Sequence, residues 1–184
     1  MREISAGIII YRRTLKGPKF LLLYHGNNYW NFPKGKIENA KSAPPHSFRS
    51  RSGNANPKAG QAHYGAGAPM PIGRETSWQA AVREAREETG LRLRDLKFRR
   101  QFKTYDKYFF YREKEKVFKI VVLYLAETHC LDIRLSKEHE GYGWFTYHEA
   151  LKILSKYKDS RNILTQAYNF LRQSRQPEMK SLRE

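Results

Sequence analysis

Two near-continuous apolar runs open the chain: 4–11 (I-S-A-G-I-I-I-Y) and 19–24 (K-F-L-L-L-Y), joined by a turn around Gly17-Pro18. Runs without polar alternation predict central strands buried on both faces. Between 75 and 91 the period changes. Trp78, Ala81, Val82 and Ala85 recur at helical spacing as one apolar stripe. Thr76 and Gln79 are spaced as a capping box, and Gly90 stands where a left-handed C-terminal cap belongs. The stretch 91–105 (Leu91, Leu93, Leu96, Phe98, Phe102) reads as a strand, 106–112 as an aromatic and basic segment, and 112–116 as a hairpin tip. Further strands are expected at 117–126 and 142–146. Thr146 or Tyr147 opens a helix through Leu154, and Asp159 or Ser160 caps a final amphipathic helix through about Leu171. This order predicts an α/β fold, a three-layer α/β/α sandwich around a mixed sheet.

Composition shifts at 40–73, which is rich in Ala, Gly, Pro, Ser and Asn and has no Asp or Glu. It carries Lys41, Arg49, Arg51 and Lys58 and keeps no helical or strand period. It reads as a disordered or weakly ordered insertion, either a solvated spacer or an arm for RNA or another partner. The tail, 175–184, is polar and basic. The expected organisation is one domain over 1–174, interrupted at about 40–73, followed by that tail.

Thirty-five Lys and Arg against eighteen Asp and Glu give a net charge of +17. This favours polyanionic partners: nucleotides, RNA, ribosomes or anionic lipid surfaces. The single cysteine, Cys130, excludes an internal disulfide and points to a reducing compartment, with the cytoplasm as the expected location. The longest apolar runs fall far short of the roughly twenty residues of a membrane span. Arg12 and Arg13 break the first one too early for a signal peptide.

Glu84, Glu87 and Glu88 fall at i, i+3 and i+4, so their carboxylates share a helix face turned away from the apolar stripe. Like charges at that spacing cost a few tenths of a kcal/mol per pair. They fit either a solvated surface helix, with Arg83 pairing to Glu87, or a site for a hard cation such as Mg²⁺ or Mn²⁺.

The surrounding residues bear on that choice. Glu75, seven intervening residues and R-E-A-R-E-E-T-G-L resemble the second half of the Nudix box, G-x5-E-x7-R-E-U-x-E-E-x-G-U with U aliphatic. Ala85 is a small occupant of its aliphatic position. F-P-K-G-K-I-E at 32–38 resembles the opening of that loop, with Gly35 as the box glycine. Gly35 and Glu75 are separated by thirty-nine residues (36–74) where the pattern has five. By the logarithmic closure rule the longer loop costs roughly 1.8 kcal/mol, which a folded domain can absorb if both loop ends are held.

Outside the box, V-V-L-Y-L-A-E at 121–127 and D-I-R-L-S-K-E-H-E-G-Y-G-W at 132–144 are similar to asymmetrical diadenosine tetraphosphate hydrolases of this superfamily. The resemblance implies the same sandwich fold and Mg²⁺- or Mn²⁺-dependent hydrolysis of a nucleoside polyphosphate. It also implies metal ligation by Glu84, Glu87, Glu88 and the Gly35 carbonyl, with Glu75 and Arg83 bracing the loop. Either one of the clustered carboxylates or Glu138 would take the proton from water. Lys34, Lys36 and Lys119 are expected on phosphates, His139 and Tyr142 in the substrate pocket, and Tyr111 or a neighbour against adenine. Tyr29 and Trp30 are expected to pack, with base stacking as their other use. Three other functions are compatible with these residues: RNA 5′-end pyrophosphohydrolysis or decapping, non-catalytic RNA or ribosome binding, and hydrolysis of a diphosphoinositol phosphate or ADP-ribose, since the box reports the reaction and not the leaving group.

Overall fold

The computed structural model describes residues 2–38 and 75–174. The expected insertion at 40–73 and the tail at 175–184 lie outside the described residues. The two apolar runs form β1 (Arg2–Thr14) and β2 (Gly17–Tyr24), followed by the short β3 (Trp30–Asn31) and β4 (Lys34–Lys36). Helix α1 (Ser77–Thr89) precedes β5 (Lys97–Arg112), β6 (Glu115–Glu127) and β7 (Gly141–Thr146), and then come α2 (Tyr147–Ile153) and α3 (Lys158–Gln173). The sheet runs β3-β2-β1-β6-β5, with β4 pairing to β1 and β7 to β2. The β1–β6 pair is parallel, from Arg2 opposite Phe118 to Tyr11 opposite Glu127.

Both faces of the centre are covered, which is why the apolar runs do not alternate. Ile9, Tyr11, Leu123 and Leu125 pack on one side with Ile163, Leu164 and Ala167 of α3. Ile8, Ile10, Val122 and Ala126 pack on the other with Ala80, Ala81 and Ala85 of α1. The result is the expected sandwich on a mixed sheet.

β1 changes partner along its length, pairing with β2 through Tyr11–Thr14 and with β4 through Ser5–Gly7. Gly7 makes this possible. A Cβ there would overlap the Pro33 carbonyl, which accepts the Ile8 N–H at 3.0 Å. Alternation along β4 then sends Lys34 and Lys36 to the α3 side of the sheet and turns Gly35 toward α1.

The α1 ends follow the sequence. Thr76 accepts the Gln79 N–H, the Gln79 side chain accepts the Thr76 N–H, and Gly90 closes the helix at φ 73°. The stripe is shifted, however. Ala80, Ala81 and Ala85 are buried, whereas Trp78 remains 38% exposed and packs on Phe98 and Tyr124 at the sheet's flank.

Three further boundaries differ from expectation. A 3-10 turn at Leu93–Asp95, closed by Asp95 accepting the Arg92 N–H at 2.9 Å, delays the strand to Lys97. β5 then continues through the aromatic segment to Arg112, and the tip narrows to Glu113 and Lys114 at φ 48° and 73°. Those are two-residue hairpin conformations, here without the usual Gly or Asn. Finally, α3 begins at Lys158, with Tyr157 at its N-cap position and no side-chain cap, so Asp159 and Ser160 lie inside its first turn.

Candidate active site

The three clustered glutamates occupy unequal environments. Glu88 is buried, and one of its carboxylate oxygens accepts the Lys34 N–H at 2.9 Å. Glu84 lies against Gly35 so closely that a Cβ on Gly35 would overlap its carboxyl group. Glu87 is exposed and bonds Arg83 at 3.1 Å, one turn back. Arg83 also bonds Glu84 at 2.8 Å and the Lys36 carbonyl at 2.9 Å, strapping α1 to β4. Glu38 and Glu75, which flank the segment outside the described residues, pair with each other. The Glu38 N–H reaches the Glu75 carboxylate at 2.8 Å, and the Glu75 N–H reaches the Glu38 carbonyl at 3.2 Å.

The segment after β6 is hooked onto the C-terminal end of α1. Arg134 and Ser136 N–H groups reach the Thr89 and Glu88 carbonyls at 2.9 and 3.3 Å, satisfying groups a helix end leaves open. This buries His139, whose Nδ1 is 2.8 Å from Ser136 Oγ and whose ring lies 4.3 Å from that of His25. Its Nε2 stands 3.5 Å from Glu88 Oε1, too far for a hydrogen bond. Among the described residues that nitrogen is buried and unpartnered. Burial lowers the His139 pKa, Glu138 opposes and Lys34 adds to the shift. Burial, Lys34 and His139 together bring His25 down to about 4. Both imidazoles are therefore neutral near pH 7, and His139 and Glu88 do not form an ion pair there.

Burial pushes the Glu88 carboxyl up; Lys34 opposes, while Glu84 and exposed Glu138 push further. Lys34 moves down by burial, with Glu88 opposing and Lys119 adding to the shift. The cluster is thus short of positive charge. Its donors are hard carboxylate oxygens with a glycine backbone against them, which fits a divalent cation. Among the described residues no three His, Cys, Asp or Glu side chains already converge on one point. Arg83 engages one carboxylate oxygen each of Glu84 and Glu87, and each carboxylate has a second oxygen that can ligate.

Beside this cluster lies a cationic one. Lys119 Nζ is 2.8 Å from Glu3 Oε1, while Arg112 and Lys36 reach Glu3 Oε2 at 2.9 and 3.1 Å. Next along is a cavity of about 460 Å³ lined by Tyr29, Asn31, Asp106, Tyr108 and Tyr157 among others. Tyr108 sits directly across from Lys119, and Lys34 Nζ lies 6.0 Å from the Tyr29 ring. A larger cavity of about 520 Å³, at Tyr11, Arg13, Tyr147 and Tyr168, includes none of the box residues.

The sequence-predicted residues are thus partly gathered. Lys34, Gly35, Glu84, Glu88 and His139 meet, and Lys36 joins Lys119 at Glu3. Tyr142 is 40% exposed on β7, opposite Leu23. Tyr111 does not join them. Strand alternation puts it on the face opposite Lys119, and Tyr108 is the tyrosine on the lysine's side. Glu3, His25, Asp106, Tyr108 and Tyr157 were not anticipated. Asp106 did carry a signal, as the one acid between 97 and 112.

Residues 54–167, more than half of the chain, match the NUDIX domain family, and the chain belongs to that family. It is a hydrolase of the pyrophosphohydrolase class, a family that works with divalent metals. The match begins beyond Gly35, leaving the displaced opening of the box outside it. The chain is 28% identical over 177 residues to the asymmetrical bis(5′-nucleosyl)-tetraphosphatase of Sus scrofa, covering 91% of this chain and 94% of that one. With the same-named protein of Caenorhabditis elegans it shares 27% over 168 residues, covering 91% and 95%. A crystal structure of a C. elegans Ap4A hydrolase binary complex superposes with a TM-score of 0.63 at 24% identity, over 92% of this chain and 97% of that chain, a likeness of fold. Among the described residues no helix is long and apolar enough to cross a membrane.

Proposed function

We propose that this protein is a Mg²⁺-dependent hydrolase of a dinucleoside tetraphosphate, releasing a nucleoside triphosphate and a nucleoside monophosphate. The observation that carries the reading is the charge-deficient Glu84–Glu88 cluster against the Lys34–Gly35 backbone, with a tyrosine-walled cavity next to Lys34 and Lys119. The tetraphosphatase relatives supply the substrate class.

In this reading Glu84, Glu87, Glu88 and the Gly35 carbonyl hold Mg²⁺, or Mn²⁺ in its place. The bound cation supplies phosphate charge neutralisation and a more acidic water. Lys34, Lys36 and Lys119 bind phosphate oxygens, and a base lies against Tyr29 and Tyr108. His139, with Ser136 donating to Nδ1, offers Nε2–H to the substrate, and Tyr142 lines the approach. Arg83 and Glu75 brace the two halves of the loop. Water attacks phosphorus in line, the anhydride P–O bond breaks, and the leaving nucleotide keeps its electron pair. The proton passes to one carboxylate among Glu84, Glu87, Glu88 and Glu138. The lone Cys130 supports a reducing location such as the cytoplasm.

The test presents diadenosine tetraphosphate and a 5′-triphosphorylated RNA to the purified chain with Mg²⁺. ATP plus AMP from the former, with the RNA untouched, is expected. Phosphate or pyrophosphate from the RNA alone would move the function to RNA 5′ ends. Failure on both, with the fold intact, would favour a binding role.

A further inference from the structure

The outer side of the β5–β6 ribbon carries a second pattern, independent of the hydrolytic site. Alternation along β5 brings Lys103, Tyr105, Lys107, Phe109 and Tyr111 to one face, all of them exposed. The rings are large and open: Tyr105 is 49%, Phe109 59% and Tyr111 71% exposed. Across the ladder the same face presents Tyr124, Val122, Ile120, Phe118 and Lys116. No carboxylate stands among these ten positions. α1 reaches this face at Tyr124, through Ser77 and Trp78, and no described residue covers the rings beyond. Phe109 is backed by Phe118 at 4.8 Å, and Lys116 Nζ lies 4.4 Å over it; Lys103 Nζ lies 5.6 Å over Tyr105.

We propose that this face binds single-stranded nucleic acid, stacking bases on Tyr105, Phe109 and Tyr111 and taking phosphates on Lys103, Lys107 and Lys116. Charge complementarity selects the ligand. Protein–protein interfaces are depleted in lysine, and here lysines alternate with the rings. A merely solvated face has no use for three open aromatics free of acids. Alternate residues on a strand lie about 7 Å apart, a distance one nucleotide of extended backbone can bridge. Stacking needs unpaired bases, so a duplex would engage the lysines alone. Lys119, Tyr108 and Asp106 lie on the opposite face, so the two ligands do not compete.

The experiment is fluorescence anisotropy with the full chain and a labelled oligouridylate of about ten nucleotides. Tyr105→Ser with Phe109→Ser should weaken binding roughly tenfold or more, leaving thermal stability and nucleotide hydrolysis unchanged. Tyr105→Phe with Phe109→Tyr should retain affinity, separating stacking from any loss of fold. Lys103→Gln with Lys107→Gln should flatten the salt dependence. Absence of binding, equal binding by the serine variant, or a duplex held as tightly as the single strand would overturn the proposal. So would a wild-type dimer that the serine variant dissolves, since that would assign the face to a second copy of the chain.

Discussion

Glu3 and Glu88 leave similar fractions of their side chains exposed, 9% and 10%, but Glu88 lies deeper in the protein, and the two titrate in opposite directions. At Glu3, burial alone would raise the pKa, but hydrogen bonds from Lys119, Arg112 and Lys36 overcome it and bring the carboxyl to about 2. At Glu88, burial also raises it. The backbone N–H and charge of Lys34 offset only part, and Glu84 and Glu138 add to the rise. Burial opposes the charge in both places, more heavily at Glu88, and only at Glu3 do the neighbours outweigh it. Glu3 resembles an internal counter-ion holding lysines in place. Glu88 resembles a group waiting for charge from outside the chain, the pattern expected of a functional carboxylate.

The largest break in this comparison is Glu88→Gln. The amide oxygen still accepts the Lys34 N–H, yet turnover should fall roughly 10²- to 10⁴-fold. Thermal stability near neutral pH should change little, because burial already favours the protonated Glu88 carboxyl there and the amide keeps the Lys34 N–H bonded. Near-normal turnover would take Glu88 out of the reaction. Gly35→Ala comes next: its Cβ displaces the flexible end of Glu84, so kcat should drop by about 10- to 100-fold with little change in melting temperature. An unchanged kcat would mean the close approach is not used. Glu3→Gln should act on stability, costing about 1–2 kcal/mol by chemical denaturation. Lys36 and Arg112 are largely exposed and contribute little, so most of that cost comes from Lys119.

The two members of this comparison were unequally legible in the chain. Glu88 announces itself, because i, i+3, i+4 carboxylates on a capped helix need a reason local to the sequence. Its burial was not visible, since it depends on His139 and Ser136 being hooked back onto α1 from fifty residues away. Glu3 was silent. It matters through the parallel register that sets it beside Lys119, and a register between strands over a hundred residues apart leaves no local mark. Tyr111, expected against adenine only through the resemblance, stands across from Lys116. The pairing that brings Tyr108 rather than Tyr111 across from Lys119 is a register between strands that no local run of residues displays. The strands were clear from their apolar runs, because burial on both faces is written into every residue of them.

The finest test of the comparison is its dependence on pH. Glu3's folded pKa lies below the ordinary 4.5, so its stabilisation is full above that value and disappears as pH falls through about 2. Glu88's folded pKa is raised, so its stabilisation belongs to the protonated form. That contribution is full below the ordinary 4.5 and is lost as pH rises through the raised value. The stability deficit of Glu3→Gln should therefore close only in strong acid. The advantage of Glu88→Gln should be greatest at mildly alkaline pH and shrink as pH falls toward 4.5. His25 and His139 remain in both proteins, but Lys34 loses the Glu88 charge that opposes its own downward shift. The Glu88→Gln difference therefore reports the Lys34–Glu88 pair as a unit. Saturating Mg²⁺ should raise the wild-type melting temperature and erase the Glu88→Gln advantage, since a ligand bound only by the folded state stabilises it by mass action. An advantage that persists in Mg²⁺ would mean that the missing charge at Glu88 is not supplied by that cation.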